Sequence, residues 1–374
     1  RIFIMARNRV IYQSEALYIS EDASLLAAGN HKQVERVQSA NFSYTINRQD
    51  INQFGELARI DSVILDAPTV STDFSYYLTD GFNERALGFY VNTGGGNRDG
   101  DGQFASGHMI GSSGKNLFIV TGPEGKDLNG AGALSSEDST IGIGNCYVSD
   151  YTIDLAVGSI PTASVSLEAA NVRSDAAGAA IDNPAVDQEA GTAVAGTITL
   201  PNPTSGPSDI KALRPGDITV SLANFDGDTI ADLDGAGAAH VQSVSINMPL
   251  SRSPLQRLGS RFPFAREPDF PINVSMSVSA IVNEETAMNL AAKLTAAAAN
   301  ATVTLKSKGS GGTAGANAML FTLKGAKVDS ESMSSAIGSN KSVDLTLSAQ
   351  IGGIADTSAG LFVSGANDTE AFEF

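Results

Sequence analysis

Val37-Gln-Ser-Ala-Asn-Phe-Ser-Tyr-Thr-Ile-Asn-Arg48 and Val241-Gln-Ser-Val-Ser-Ile-Asn-Met-Pro-Leu-Ser-Arg252 are two versions of one segment, 204 positions apart with no gap. The match continues from Ile51-Asn-Gln-Phe-Gly55 to Leu255-Gln-Arg-Leu-Gly259. Val37, Gln38, Ser39, Arg48 and Gly55 recur unchanged as Val241, Gln242, Ser243, Arg252 and Gly259. Unrelated sequence of average composition would share roughly one residue over such a span. Ala40, Phe42, Tyr44 and Ile46 answer to Val244, Ile246, Met248 and Leu250, each separated from the next by one mostly polar residue. That period of two describes a strand with one buried face.

Working outward, the same offset places Val70, Thr72, Phe74, Tyr76 and Leu78 on Val274, Met276, Val278, Ala280 and Val282, with serines between them in both copies. A third block repeats at offset 180: Val148 to Ala169 against Val328 to Ala349, each reading as two strands around a Gly-Ser loop. Three blocks in one order identify an internal duplication. The fall from 204 to 180 gives copy one about 24 extra residues, expected between Asn92 and Gly142.

The expected organisation follows. Copy one occupies residues 5–171 and opens on a strand from Arg9 to Ser20; copy two occupies 209–352 and opens on its counterpart, Leu213 to Leu222. Between them, 172–208 is rich in Ala, Gly, Asp and Pro and reads as an extended connector. Residues 353–374 form a C-terminal tail. Glu284 to Ala299 is expected as a helix: Asn283 can cap it, and Ala287, Leu290, Ala291 and Leu294 give it an apolar stripe. Asn83 to Leu87 is its weaker counterpart. The fold class is mainly β: two tandem β-sandwich or barrel domains, each with one packed helix and a long hairpin loop.

The order of these blocks resembles phage tail tube proteins, the major tail proteins of long-tailed phages. The resemblance rests on the alternating strand, the polar loop carrying Asp50-Ile-Asn-Gln-Phe-Gly55, the strand Thr69 to Leu78 and the late hairpin Val148 to Ala169. It implies a structural virion protein, not an enzyme, assembled in the host cytoplasm. Its rings stack around a channel that conducts double-stranded DNA without binding it specifically, and other tail proteins sit at the tube ends. Two fused domains imply a homotrimeric ring with pseudo-sixfold symmetry. The resemblance also gives long hairpins, Tyr90 to Thr121 and Thr302 to Leu323, the task of reaching the next ring. Two other readings stand beside it: another duplicated β-domain assembly or adhesion protein, capsid-associated or at a cell surface, and a carbohydrate-active β-sandwich enzyme using paired carboxylates. The absence of Trp weakens the last, since sugar sites favour aromatic platforms.

Charge separates the copies. The whole chain of 374 residues carries 41 acids and 24 bases, net −17, a balance that disfavours phosphate-gripping nucleic-acid binding. Val37 to Ala170 holds 16 acids and 6 bases, whereas Val241 to Ile351 holds 7 acids and 10 bases. Asp50, Glu56, Asp61 and Asp66 follow Arg48, while Arg257, Arg261 and Arg266 follow Arg252. Asp50, Phe54, Glu56, Asp61, Asp66, Arg252, Arg257, Leu258, Arg261 and Arg266 are the expected contacts between subunits, arranged so that copy one prefers copy two over itself; the alternative reading is solvated charges that differ by drift.

Little else suggests chemistry. Asp226, Asp228, Asp232 and Asp234 lie at alternate positions that could converge on calcium, but the EF-hand spacing fails and a hairpin turn is the stronger reading. Gly94 to Gly96 and Gly309 to Gly312 match no phosphate-binding loop. His31, His108 and His240 read as isolated surface or loop imidazoles, and the single Cys146 as a small buried hydrophobe. No cofactor is expected. No apolar run reaches the roughly 20 residues of a membrane helix, so no membrane partner is expected, and no signal peptide is read at the start.

Overall fold

A computed structural model describes residues 15–93, 102–110, 114–130, 132–175, 180–222, 239–259, 261–282, 298–309, 313–338 and 340–367. The expected helix at 284–299 (apart from its last residues), the alternating aspartates at 226–234 and the glycines at 94–96 lie outside the described residues, as do 310–312 of the second glycine run.

Copy one contributes seven main strands: β1 (Glu15–Ser20), β2 (Val37–Thr45), β3 (Thr69–Tyr77), β4 (Lys115–Thr121), β5 (Ser139–Ala156), β6 (Thr162–Ala169) and β7 (Asn171–Asp175). Copy two contributes seven counterparts: β8 (Ile218–Ser221), β9 (Ala239–Pro249), β10 (Asn273–Val282), β11 (Ala299–Lys308), β12 (Ala314–Ser334), β13 (Ser342–Gln350) and β14 (Gly360–Gly365). Each copy is a β-sandwich. One sheet has the order β2-β3-β6-β5, repeated as β9-β10-β13-β12; the other is β1-β4-β5-β7, repeated as β8-β11-β12-β14. The long strands β5 and β12 run through both sheets of their copy, pairing with one set of partners along each half.

The duplication extends to individual backbone pairs. Val37 faces Tyr76 and Ser39 faces Ser75, with a bulge at position 38; Val241 faces Ala280 and Ser243 faces Ser279, with the same bulge 204 positions later. The β5/β6 pair shifts register between Ser166↔Asp150 and Leu167↔Val148, and β12/β13 shifts between Thr346↔Ser330 and Leu347↔Val328, 180 positions later. Bulges are local and position-specific, so their coincidence excludes a repeat of mere periodicity. The offset is 184 at β4, where Ile119 faces Ile141 as Val303 faces Phe321. Most of the extra length in copy one therefore lies between β3 and β4, where α1 (Phe82–Leu87) and α2 (Ser106–Ile110) sit.

Several expectations need correction. The stretch 172–208 is not an extended connector: it begins with β7 and continues through short paired segments Ala180–Asp182 with Thr197–Thr199 and Val186–Asp187 with Thr192–Ala193. Its Ile181, Ile198 and Leu200 close a small core with Tyr18 and Phe118. The described part of the expected tail, 353–367, is not free either, because β14 pairs with β12 on one side and with Asn92–Thr93 on the other. The last strand of each copy thus lies beyond residues 171 and 352. The described residues of Tyr90 to Thr121 do not form a hairpin; they hold α2 and β4, and Phe104 N–H donates to Leu361 O at 2.8 Å. Thr302 to Leu323 does form one, from β11 and β12. His31 and His108 are buried rather than surface imidazoles, while His240 is exposed.

The copies join edge to edge. β5 pairs with β9 from Ser243↔Ala156 to Pro249↔Asp150, which fuses the two four-strand sheets into one eight-strand sheet ordered β12-β13-β10-β9-β5-β6-β3-β2. One hydrophobic core runs across this seam. Beneath it, Phe89 stacks on Phe104 at 4.3 Å and both rings lie against Tyr151. The Glu84 carboxylate, wholly buried in α1, accepts hydrogen bonds from Tyr76 at 2.8 Å and Tyr151 at 3.0 Å.

Candidate assembly interface

The seam has two halves, and each half has a duplicate at the outer edges of the sheet. β9 is the counterpart of β2, and the second half of β5 is the counterpart of the second half of β12. Among the described residues β2 pairs only with β3, and β12 beyond Ala326 pairs only with β13, so within that set both copies present a strand edge without a strand partner. Such an edge is a template for strand addition.

Side chains show the same incompleteness. Ile246 and Met248 are buried at the seam, at 1 % and 0 % exposure; their counterparts Phe42 and Tyr44 are 37 % and 63 % exposed. Nothing in local sequence separates the pairs, since all four are apolar and all alternate with polar residues. The difference is cover, which β5 and the core behind it provide for β9 and which β2 lacks.

Beyond each edge strand comes a short hairpin. In copy one Arg48–Ile51 pairs with Asp61–Ile64, and in copy two Arg252–Leu255 pairs with Ala265–Pro268, in one register 204 positions apart. Gly55 and Gly259 both take positive φ, +94° and +87°, a conformation that accounts for glycine at each. The copy-two hairpin is docked on copy one. Arg266 donates to the Glu168 carboxylate at 2.7 Å, and Arg257 donates to Glu189 O at 2.6 Å. Arg252 donates to His108 O at 2.9 Å and lies over the Tyr147 ring at 5.3 Å. Burial there disfavours the charged guanidinium of Arg252. The copy-one hairpin is exposed at every residue but the half-buried Ser62, with Phe54 and Leu57 standing free at its tip.

The expected contact residues therefore fall into two groups. Asp50, Phe54, Glu56 and Asp61 share the exposed hairpin, with the exposed Asp66 just beyond it; Asp50 is paired with Arg59 of the same hairpin at 2.9 Å. Arg252, Arg257 and Arg266 engage copy one of their own chain, while Leu258 and Arg261 are exposed. Within the chain, Arg266 meets Glu168 of copy one and Arg257 meets Glu189 of the stretch 172–208. Sequence reading missed both acids, along with Tyr147. It also passed over Met333 and the exposed Ile337, although offset 180 sets them level with Ile153 and Val157 of the seam.

The other face of the eight-strand sheet is hydrophilic. Ser39 bonds to Ser75 at 2.7 Å, Ser43 to Ser71 at 2.8 Å, and Asn41 to Asp73 at 2.9 Å; across the seam Ser245 donates to Asp154 at 2.8 Å and Asn247 to Asp150 at 3.0 Å. Asp73, Asp150, Asp154, Glu168 and Asp344 share this face, and Lys327 lies at one end of it. Among the described residues no group of three or more His, Cys, Asp and Glu could hold a metal, and no helix is long and apolar enough to cross a membrane. Burial pushes the Cys146 thiol up to about 12, consistent with a structural cysteine.

No protein-family model matches the sequence, and no curated protein matches it. Among solved structures, the chain is similar to a chain in the cryo-EM structure of the anti-feeding prophage (AFP) baseplate, 6-fold symmetrised. The identity is 11 %, the match covers 46 % of this chain and 97 % of that one, and the TM-score is 0.29. A likeness at that score carries no argument about this chain.

Proposed function

We propose that this chain is a structural subunit of a phage tail tube, built to repeat outside the molecule the joint it already contains inside. The observation that carries the reading is the pair of unfilled edges, each a positional duplicate of one half of the β5/β9 seam. Adding the two offsets to the seam gives the expected contact between chains: Ser39 opposite Ala336, Asn41 opposite Ser334, Phe42 opposite Met333 and Thr45 opposite Ser330. Val157 N–H donates to Gln242 O at 2.9 Å beside the seam, which sets Ile337 against Gln38 of the next chain. A groove lined by Leu17, Val37, Ala40 and Ile119 lies beside β2 to receive it.

Such a contact is heterologous, since β2 of one chain meets β12 of another, and repetition by a fixed rotation closes a ring. The resemblance to tail tube proteins implies three chains per ring, giving six sandwiches. The continuous sheet then becomes a closed barrel. Its hydrophilic face, with Asp73, Asp150, Asp154 and Asp344 against Lys327, Glu168 being held by Arg266, and almost no aromatic platform, suits a conduit: it offers DNA little phosphate contact and no base stacking. Stacking of rings, with other tail proteins at the tube ends, completes a role in the virion that requires no catalysis. The test is electron microscopy of the purified full chain. The expected image is tubes of stacked rings with an open lumen; discrete monomers at high concentration would contradict the reading.

A further inference from the structure

A cavity of about 670 Å³ lies where the copy-two hairpin covers copy one. Lys115 and His108 line it from copy one, and Arg252 and Ala355 from copy two. Its volume falls within the roughly 300–1,000 Å³ of small-molecule pockets. Tyr90, Val148 and Ile354 give it apolar walls.

Arg252 is the feature that sequence periodicity and packing leave unexplained. It is 7 % exposed, and its two Nη groups donate to main-chain oxygens, of Arg266 at 3.0 Å and His108 at 2.9 Å. No carboxylate forms an ion pair with it among the described residues, and its buried Nε has no hydrogen-bond partner there. The Tyr147 ring and the field of the Glu267 carboxylate temper the charge without forming an ion pair with it. His108 is buried too, and its Nε2 is likewise unpartnered. Burial, with Lys115 and Arg252 nearby, holds that imidazole neutral, so the ring is able to donate a hydrogen bond. Lys115 is answered otherwise: it donates to Glu21 O at 2.8 Å and sits in the field of Glu21 and Asp22 at the rim. A buried cation without a counterion is unfavourable, and an anion in the adjoining space removes that penalty.

We propose that this cavity binds a small organic anion, an apolar ring or short chain bearing one carboxylate or phosphate head that sits against Arg252 and His108. The head would touch both repeats, so occupancy would fix their relative placement. The inference is independent of whether the chain forms tubes.

Titration calorimetry of the full chain with phenyl phosphate, with inorganic phosphate as comparison, tests it. The expected result is one saturable site per chain for phenyl phosphate, with inorganic phosphate at least tenfold weaker. Arg252→Met should weaken binding at least tenfold. Ala355→Trp, on an exposed loop at the cavity wall, should block it while leaving the fold intact, and it decides the matter if Arg252→Met fails to fold. No saturable binding, or unchanged affinity in Ala355→Trp, overturns the proposal. Equal affinity for inorganic phosphate overturns it as well, as an adventitious ion only.

Discussion

Met248 and Tyr44 stand at the same position of two duplicated strands, and the first is fully buried while the second is 63 % exposed. Met248 faces Tyr151 across the seam, whereas Tyr44 pairs only inward, with Val70. Within one chain, then, the repeat supplies both a finished joint and an unfinished one.

Two substitutions at one repeat position separate the two states. Ile246→Asp places a carboxylate inside the seam and should cost more than about 3 kcal/mol, which thermal unfolding will register as loss of the fold. Phe42→Asp sits on the open edge and should change stability by less than about 1 kcal/mol. Sedimentation velocity should nonetheless show that Phe42→Asp no longer assembles.

Glu84 should make stability fall with rising pH. Burial raises its carboxyl above the usual 4.5, so the folded protein holds a proton that the unfolded chain has released. That contribution is fully present below the unfolded value and is lost as pH rises through the raised folded value. Glu84→Gln cannot titrate, so its melting temperature relative to the parent should climb from acid toward neutral pH. A constant difference between the two would count against this sign.

The docking of the copy-two hairpin rests on Arg266, whose side chain is buried against Glu168 at 2.7 Å. Glu168→Gln weakens a charge-assisted bond and should cost about 2 kcal/mol in denaturant unfolding. Arg257→Glu should cost about 1 kcal/mol, less than Glu168→Gln, because its ion pair with Glu189 is 3.8 Å long and both that pair and its 2.6 Å bond to Glu189 O are solvent-exposed.

Gly259→Ala should destabilise by about 1 kcal/mol through backbone strain alone, since φ is +87° and no atom lies near the added methyl. Gly55→Ala, at φ +94° in equally open space, should match it. Unequal losses, measured by denaturant titration, would mean the two hairpins are not conformationally equivalent.

The strands that carry the duplication were legible because serines mark one face and aliphatic or aromatic residues the other, at a spacing that survives in both copies. Even the hairpin glycines could be matched. What sequence could not show was cover: Phe42 and Ile246 obey one pattern, and only the three-dimensional seam makes one buried. β14 was missed because Gly360 to Gly365 is buried on both faces and so shows no alternation. The stretch 172–208 was read as a connector because its paired segments are two to five residues long, too short to display a period. Glu168 was missed as a partner of Arg266 because 98 positions separate them and neither carries a local signal. The hairpin acids and arginines were grouped by their order along the chain, and their opposition across chains was inferred from charge alone.

The central claim concerns register. With Asn41→Cys and Ser334→Cys in one chain, assembly in the proposed register sets the two thiols opposite each other across neighbouring subunits, within disulfide reach of about 4.4–6.8 Å between Cα atoms. Native Cys146 is buried and does not compete. Oxidation of the assembled protein should produce a ladder of linked chains on a non-reducing gel, ending at the closed ring. Pairing Asn41→Cys with Ser332→Cys, two residues out of register, should produce far less. Equal cross-linking by both pairs, or none by the first in protein that assembles, would contradict the account.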